Sequence, residues 1–187
     1  MWNNVQAAPA DAILGLTEAF NKDPHPKKVN LGVGVYKDES GATPVLKSVK
    51  VAEKNLIEKE TTKSYLPIAG ENAYGTEVQK MIFGKPHHRA TTVHTPGGTG
   101  ALRLAGELLK NFGSKTIWVS DPTWANHKNI FKASGLTIKE YPYYNPATKT
   151  LNEEAFIAAL ETIPADDCVL LHVCCQNPTC VDLSHTQ

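Results

Sequence analysis

No block of like charge interrupts this sequence: nineteen basic and nineteen acidic residues cancel and are interspersed along the chain. A nucleic-acid or anionic-membrane surface needs a basic stripe, so both partners are excluded on charge. No apolar run reaches the ~18 residues of a membrane-spanning helix. The start, MWNNVQAAPADAIL, has no basic n-region, no continuous apolar stretch and none of the arginines of a transit peptide. No targeting segment is therefore expected, and the cytoplasm is the expected compartment. There are four cysteines, two of them adjacent, and no CxxC spacing, which does not suit a secreted disulfide framework in a chain of 187 residues. Internal repeats and low-complexity tracts are absent too. What remains is an ordinary globular composition, 41% hydrophobic and 20% charged.

Helical spacing predicts one helix over ADAILGLTEAFNK, stopping before Pro24 and Pro26, and another over VLKSVKVAEKNLIEKE, where Val45, Val49, Ala52 and Leu56 recur on one face. Between them VNLGVGVYKDESG reads as loop with short strand pieces. From residue 91 the pattern becomes regular. Strands are predicted at TTVHT, TIWVSDP, LTIKEYPYY and CVLLHVCC. They alternate with helices at GGTGALRLAGELLKNFG, WANHKNIFKASG and NEEAFIAALETI. Such alternation with short connections specifies an α/β fold: three layers, a largely parallel sheet with helices on both faces.

The segment HVCCQNPTC packs one histidine and three cysteines into a short span. As the end of an apolar run of strand length, it reads as a buried strand in which cysteine acts as a small hydrophobe. Neighbouring side chains on a strand point to opposite faces, so Cys174 and Cys175 cannot serve one metal ion, and no metal site is expected.

Ligands of open α/β sheets bind beyond the carboxyl ends of the parallel strands. Three turns fall there: TPGGTG, SDPTW and QNPT. The first opens a helix with backbone N–H donors of Gly98 and the Thr99 hydroxyl, suited to an anion, or is simply a tight turn. In the second, Trp124 stacks on a flat ligand or caps the core. The third offers the Asn177 amide to a ring oxygen or to its own backbone. Together they suit a phosphorylated, oxygen-bearing heterocycle. A nicotinamide dinucleotide competes through Asp121, but a GxGxxG alignment on Gly98 and Gly100 puts Arg103 at the third glycine.

NLGVGVYKDE, ETTKSYL, TPGGTGALR, VSDPTWANH and HVCCQNPT, in this order, resemble consecutive blocks of the class I aspartate aminotransferases, the pyridoxal-phosphate enzymes of fold type I. The bacterial aspartate branch is most similar, with aromatic aminotransferases near it. The resemblance implies pyridoxal 5'-phosphate as cofactor, an amino acid and a 2-oxo acid as substrates, and a homodimer. It implies that Gly34 presents its N–H to a substrate carboxylate and that Tyr65 reaches the cofactor phosphate of the other subunit. Gly98 and Thr99 would hold the phosphate, Trp124 would stack on the ring and touch substrate, and Asn177 would bond the phenolic oxygen. His127 and His172 would support the ring from beneath. Residues 1–43 would form the arm and part of the small domain, and 44–187 the N-terminal part of the large domain, with residues 2–9 embracing the partner.

In that family the Schiff-base lysine, the aspartate at the pyridine nitrogen, the tyrosine on the phenolic oxygen and the substrate arginines all follow the NPTG segment, whereas this chain runs to Gln187. No catalytic residue is therefore assigned, and the expectation is little transamination by these residues alone. The alternative is a non-catalytic homologue that binds cofactor weakly or pairs with a full-length subunit. Cys180 stands where NPTG has glycine; a positive φ there would cost about 1–2 kcal/mol.

Overall fold

The alternation after residue 91 folds as a parallel sheet. The computed structural model describes residues 12–30, 32 and 34–187, and the arm expected over residues 2–9 lies outside them. Two compact units divide the chain, Met1–Ser64 and Tyr65–Gln187. The first holds α1 (Ala12–Lys22) and α2 (Lys47–Lys59). Between these helices the DESG turn is closed by Asp38, whose Oδ1 accepts from Ser40 N at 3.0 Å, Ser40 Oγ at 2.6 Å and Ala42 N at 3.0 Å. Those bonds hold the Asp38 carboxyl below its usual range. The strand pieces expected in this stretch are not present among the described residues.

The second unit carries α3 (Asn72–Phe83), α4 (Gly97–Phe112), β1 (Thr116–Asp121), α5 (Ala125–Ala133), β2 (Thr137–Pro142), a small hairpin of β3 (Tyr144–Asn145) and β4 (Thr150–Leu151), α6 (Glu153–Thr162) and β5 (Cys168–Val169). The sheet order is β2-β1-β5, all parallel, with Ile117 beside both Ile138 and Cys168. Alternating side chains of β1 split the core between two faces. Ile117 packs with Phe131 of α5, Leu136, and Leu102 and Leu109 of α4. Trp118 joins Tyr141, Tyr143 and Phe156 of α6 on the other side. Helices therefore cover both faces of the sheet, as the alternation predicts.

Two predicted strands differ. Residues 91–95 form no strand. Their polar groups are taken elsewhere: Gln79 Nε2 donates to Thr92 Oγ1 at 3.1 Å and to Ala90 O at 3.2 Å, and His94 N donates to Ala69 O at 2.9 Å. Of CVLLHVCC only Cys168–Val169 pairs as strand, with Leu170 N still donating to Trp118 O at 2.8 Å. Beyond it Val173 is 94% exposed, and Cys174, Cys175 and Cys180 are exposed free thiols, so the reading of buried, core-filling cysteines holds only in part, for half-buried Cys168.

Close approach of α4 to α5 depends on Gly106. A Cβ there would come within 2.5 Å of Ser134 Oγ and 3.3 Å of Phe131 Cδ1. At the other end of the same contact, Lys110 covers Gly135, which turns the chain into β2 with φ +82°. The C-terminal half of α4 thus lies near the start of β2, and its first turn points toward the carboxyl edge of the sheet.

Candidate functional site

Three chain segments leave that edge. The first turn of α4 follows Pro96, with no side-chain cap and no acidic residue to take its N–H groups. Uncapped first-turn amides and the positive dipole end suit an anion. Gly97 has φ +69°, and a Cβ on Gly97 or Gly98 would meet nothing within 4 Å. Gly98 and Thr99 are exposed on this turn. At Gly100, by contrast, a Cβ would come within 3.0 Å of Pro96 Cδ, so the turn before the helix lies close against it.

At the end of β1, Trp124 caps α5 and is half-buried. Its ring lies edge-on to His127 at 5.2 Å, and His127 lies edge-on to His172 at 5.2 Å. His127 Nδ1 shares a 2.8 Å hydrogen bond with Thr123 Oγ1. His172 Nδ1 accepts from Asn177 N at 3.1 Å. A continuous chain of contacts therefore runs Trp124, His127, His172, Asn177, joining the loops after β1 and β5. Burial, and for His127 also repulsion from His172, pushes both imidazoles below their ordinary value; Asp182 opposes this at His172. The neutral state is what the Asn177 bond needs, since a protonated Nδ1 cannot accept.

The residue that binds these loops most tightly escaped the sequence reading. Gln176 is 1% exposed. Its Nε2 donates to Ser120 Oγ at 3.0 Å and Pro122 O at 2.9 Å, while its Oε1 accepts from Thr179 N at 2.9 Å and from the Thr179 hydroxyl. One amide side chain thus uses donors toward the SDPTW turn and an acceptor toward its own. The signal was position alone, a polar residue directly after an apolar run. Tyr141 and Tyr143 anchor the same loop from the core, donating to Leu170 O at 2.7 Å and Val181 O at 2.6 Å. Burial pushes the Tyr141 phenol up to about 12.

Gly34 lies exposed in the first unit, and Tyr65, fully exposed, begins the second. Asp121, the candidate ribose acid, is exposed. Arg103 is committed to Glu107, with its Nε at 3.0 Å and a terminal nitrogen at 2.6 Å from the same oxygen. A cleft of about 500 Å³ opens beside His172, lined by Leu171, Val173 and Leu183 among others. Cys180 has φ +56°, the left-handed conformation feared for a residue replacing glycine. No helix among the described residues is long and apolar enough to cross a membrane, and no group of three His, Cys, Asp or Glu side chains forms a metal-binding cluster there.

A family profile described as aminotransferase class I and II matches residues 26–187. This chain belongs to that family. It is 52% identical to the aspartate aminotransferase of Escherichia coli K12 over 97% of its own length and 48% of that protein's. It is 48% identical to an aromatic-amino-acid aminotransferase of Pseudomonas aeruginosa, over 97% of this chain and 47% of that one. Its fold matches the aromatic-amino-acid aminotransferase of Burkholderia pseudomallei, a structure covalently bound to pyridoxal phosphate, with a TM-score of 0.92, 41% identity, and coverage of 100% of this chain and 48% of the other. This family member thus spans about half the length of the curated relatives it matches.

Proposed function

We propose that the chain carries the cofactor-facing rim of an aspartate aminotransferase, an enzyme that moves the amino group between L-aspartate and 2-oxoglutarate. The observation that carries this reading is the contact chain Trp124–His127–His172–Asn177 beside an uncapped glycine helix start.

The residues fit pyridoxal 5'-phosphate. Gly97 and Gly98 leave open space over a helix start with no side-chain cap, where the Gly97 N–H is taken by Thr95 O, so Gly98 and Thr99 would hold the phosphate dianion. Trp124 would cover the ring face, and its edge contact with His127 keeps the indole from turning away. Asn177 would donate its side-chain amide to the ring oxygen, with its backbone N–H fixed by neutral His172. Tyr65, with no burial of its own, would serve the phosphate of a second subunit in a homodimer, and Gly34 a substrate carboxylate. Bound cofactor supplies an electron-withdrawing ring that stabilises negative charge on the substrate carbon. The rim residues would bind and orient; by the family resemblance none of the lysines of residues 1–187 stands at the Schiff-base position, so these residues alone would bind without appreciable turnover. Residues 1–43 and 44–187 would be the arm with part of the small domain, and part of the large domain.

Pyridoxamine 5'-phosphate tests the reading cleanly, because an amine cannot react with surface lysines. Titration followed by tryptophan fluorescence should saturate and be competed by inorganic phosphate. Asn177→Ala should weaken binding about tenfold, which corresponds to ~1.4 kcal/mol, and Trp124→Leu should abolish the fluorescence response. Absence of saturable binding removes the proposal, and robust turnover of aspartate with 2-oxoglutarate by the 187-residue chain removes its account of the lysine.

A further inference from the structure

The loop after β5 carries three of the four cysteines, all with exposed free thiols. On a regular strand Cys174 and Cys175 would face opposite sides of the sheet and act separately. The strand has ended before them. Cys175 adopts φ +56°, and its thiol contacts that of Cys174.

This arrangement is imposed from outside the pair. Asp182 accepts from Cys175 N with one carboxylate oxygen and from Gln176 N with the other, both at 2.9 Å. Gln176 is in turn buried and fixed to Ser120 and Pro122. The backbone at Cys175 and Gln176 is therefore clamped, and a ligand that needs two adjacent sulfurs meets a main chain already fixed at the second of them, which lowers the entropic cost of binding.

We propose that Cys174 and Cys175 form a two-point thiol site for a soft trivalent thiophile, an organoarsenical of the arsenoxide class. Each Sγ forms one As–S bond. The arsenic loses its oxygen, which leaves as water with the two thiol protons. Arsenic stays trivalent throughout, so neither oxidant nor reductant enters. Two sulfurs are enough for this chemistry. A divalent metal would need further ligands, and no such group of three exists among the described residues. A nucleophilic thiolate is the other use of an exposed cysteine, and the surroundings oppose it. The hydrogen bond with Cys174, then the charges of Cys174, Asp182 and Cys180, push the Cys175 thiol up. The site is independent of cofactor binding and stands whether or not the rim holds pyridoxal phosphate.

The test uses equimolar phenylarsine oxide on the 187-residue chain, read by intact mass. The expected product is a single adduct, formed with loss of water, that survives a large excess of glutathione and is removed by a dithiol. Cys174→Ser and Cys175→Ser should each lose the glutathione-resistant adduct, while Cys180→Ser keeps it. A resistant adduct in either of the first two variants, or its loss in the third, overturns the pairing. So does the absence of a resistant adduct on the unmodified sequence when a maleimide titration still finds the exposed thiols.

Discussion

α2 and the pair α5–α6 show the same helical recurrence of apolar residues, yet they meet different surroundings. In α5 and α6 those residues close on the sheet: Phe131 is 1% and Phe156 2% exposed. In α2 no residue is buried, and Leu56 and Ile57 are 61% and 80% exposed. α3 is like α2, with Met81, Ile82 and Phe83 exposed. Periodicity specifies that a face exists. What covers the face is a separate question, answered here only where strands provide a partner layer.

Substitutions sharpen that contrast. Phe131→Ala should have the largest effect, a loss of about 3–5 kcal/mol in denaturant unfolding, since it empties the centre of the α4–α5–β1 packing. Gln176→Leu comes next at about 1–3 kcal/mol, because it strips partners from Thr179 N and Ser120 in a buried position. It should also weaken pyridoxamine phosphate binding, which a Phe131 variant assayed well below its melting temperature should alter less. Cys180→Gly should stabilise by about 1–2 kcal/mol, relieving a side chain from left-handed backbone. Leu56→Ala should change stability by no more than about 0.5 kcal/mol; a loss as large as that of Phe131→Ala would show that the face of α2 is covered in solution and would erase the contrast.

Acid should act on the site before it acts on the fold as a whole. His127 and His172 are held below their ordinary value of 6.5. The unfolded chain therefore takes up protons first as pH falls, and their contribution to stability, full above about 6.5, declines below it. Asp182, lowered by the Gln176 and Cys175 amides, loses its contribution only below the ordinary carboxylate value of 3.8. The melting temperature should thus start to drop below about pH 6.5, and His172→Gln should flatten that slope; a slope unchanged by the substitution would remove His172 from the account.

The α/β class was legible because β1, α5, β2 and α6 each satisfy a local pattern and a layer pattern together. Trp124 was legible as a rim candidate because it stands just past the end of β1; Asn177 was read as one from an apolar run longer than the strand, and it stands eight residues beyond the end of β5. Residues 91–95 misled, since TTVHT has strand composition but Thr92 is claimed by Gln79, a residue whose reach depends on where α3 lies, and the His94 N–H by Ala69 O. Gln176 was invisible for a similar reason: the three residues its side chain bonds, Ser120, Pro122 and Thr179, come from two stretches brought together by the parallel pairing of β1 with β5. The cysteine pair was misread because the strand ends earlier than its apolar run, and the reversal at Cys175 comes from Asp182, downstream of the pair.

Gly106 gives α4 the character of a pivoted rod. Its bare Cα is the fulcrum against Ser134 and Phe131, and the turn bearing Gly98 lies about 12 Å away along the axis at 1.5 Å per residue. A side chain at 106 that tilted the rod by ~10° would swing that turn by ~2 Å, far enough to break a hydrogen bond. On the proposed reading, anion affinity at one end of the helix would in this way be set by the size of an atom group at its middle, which never touches the ligand.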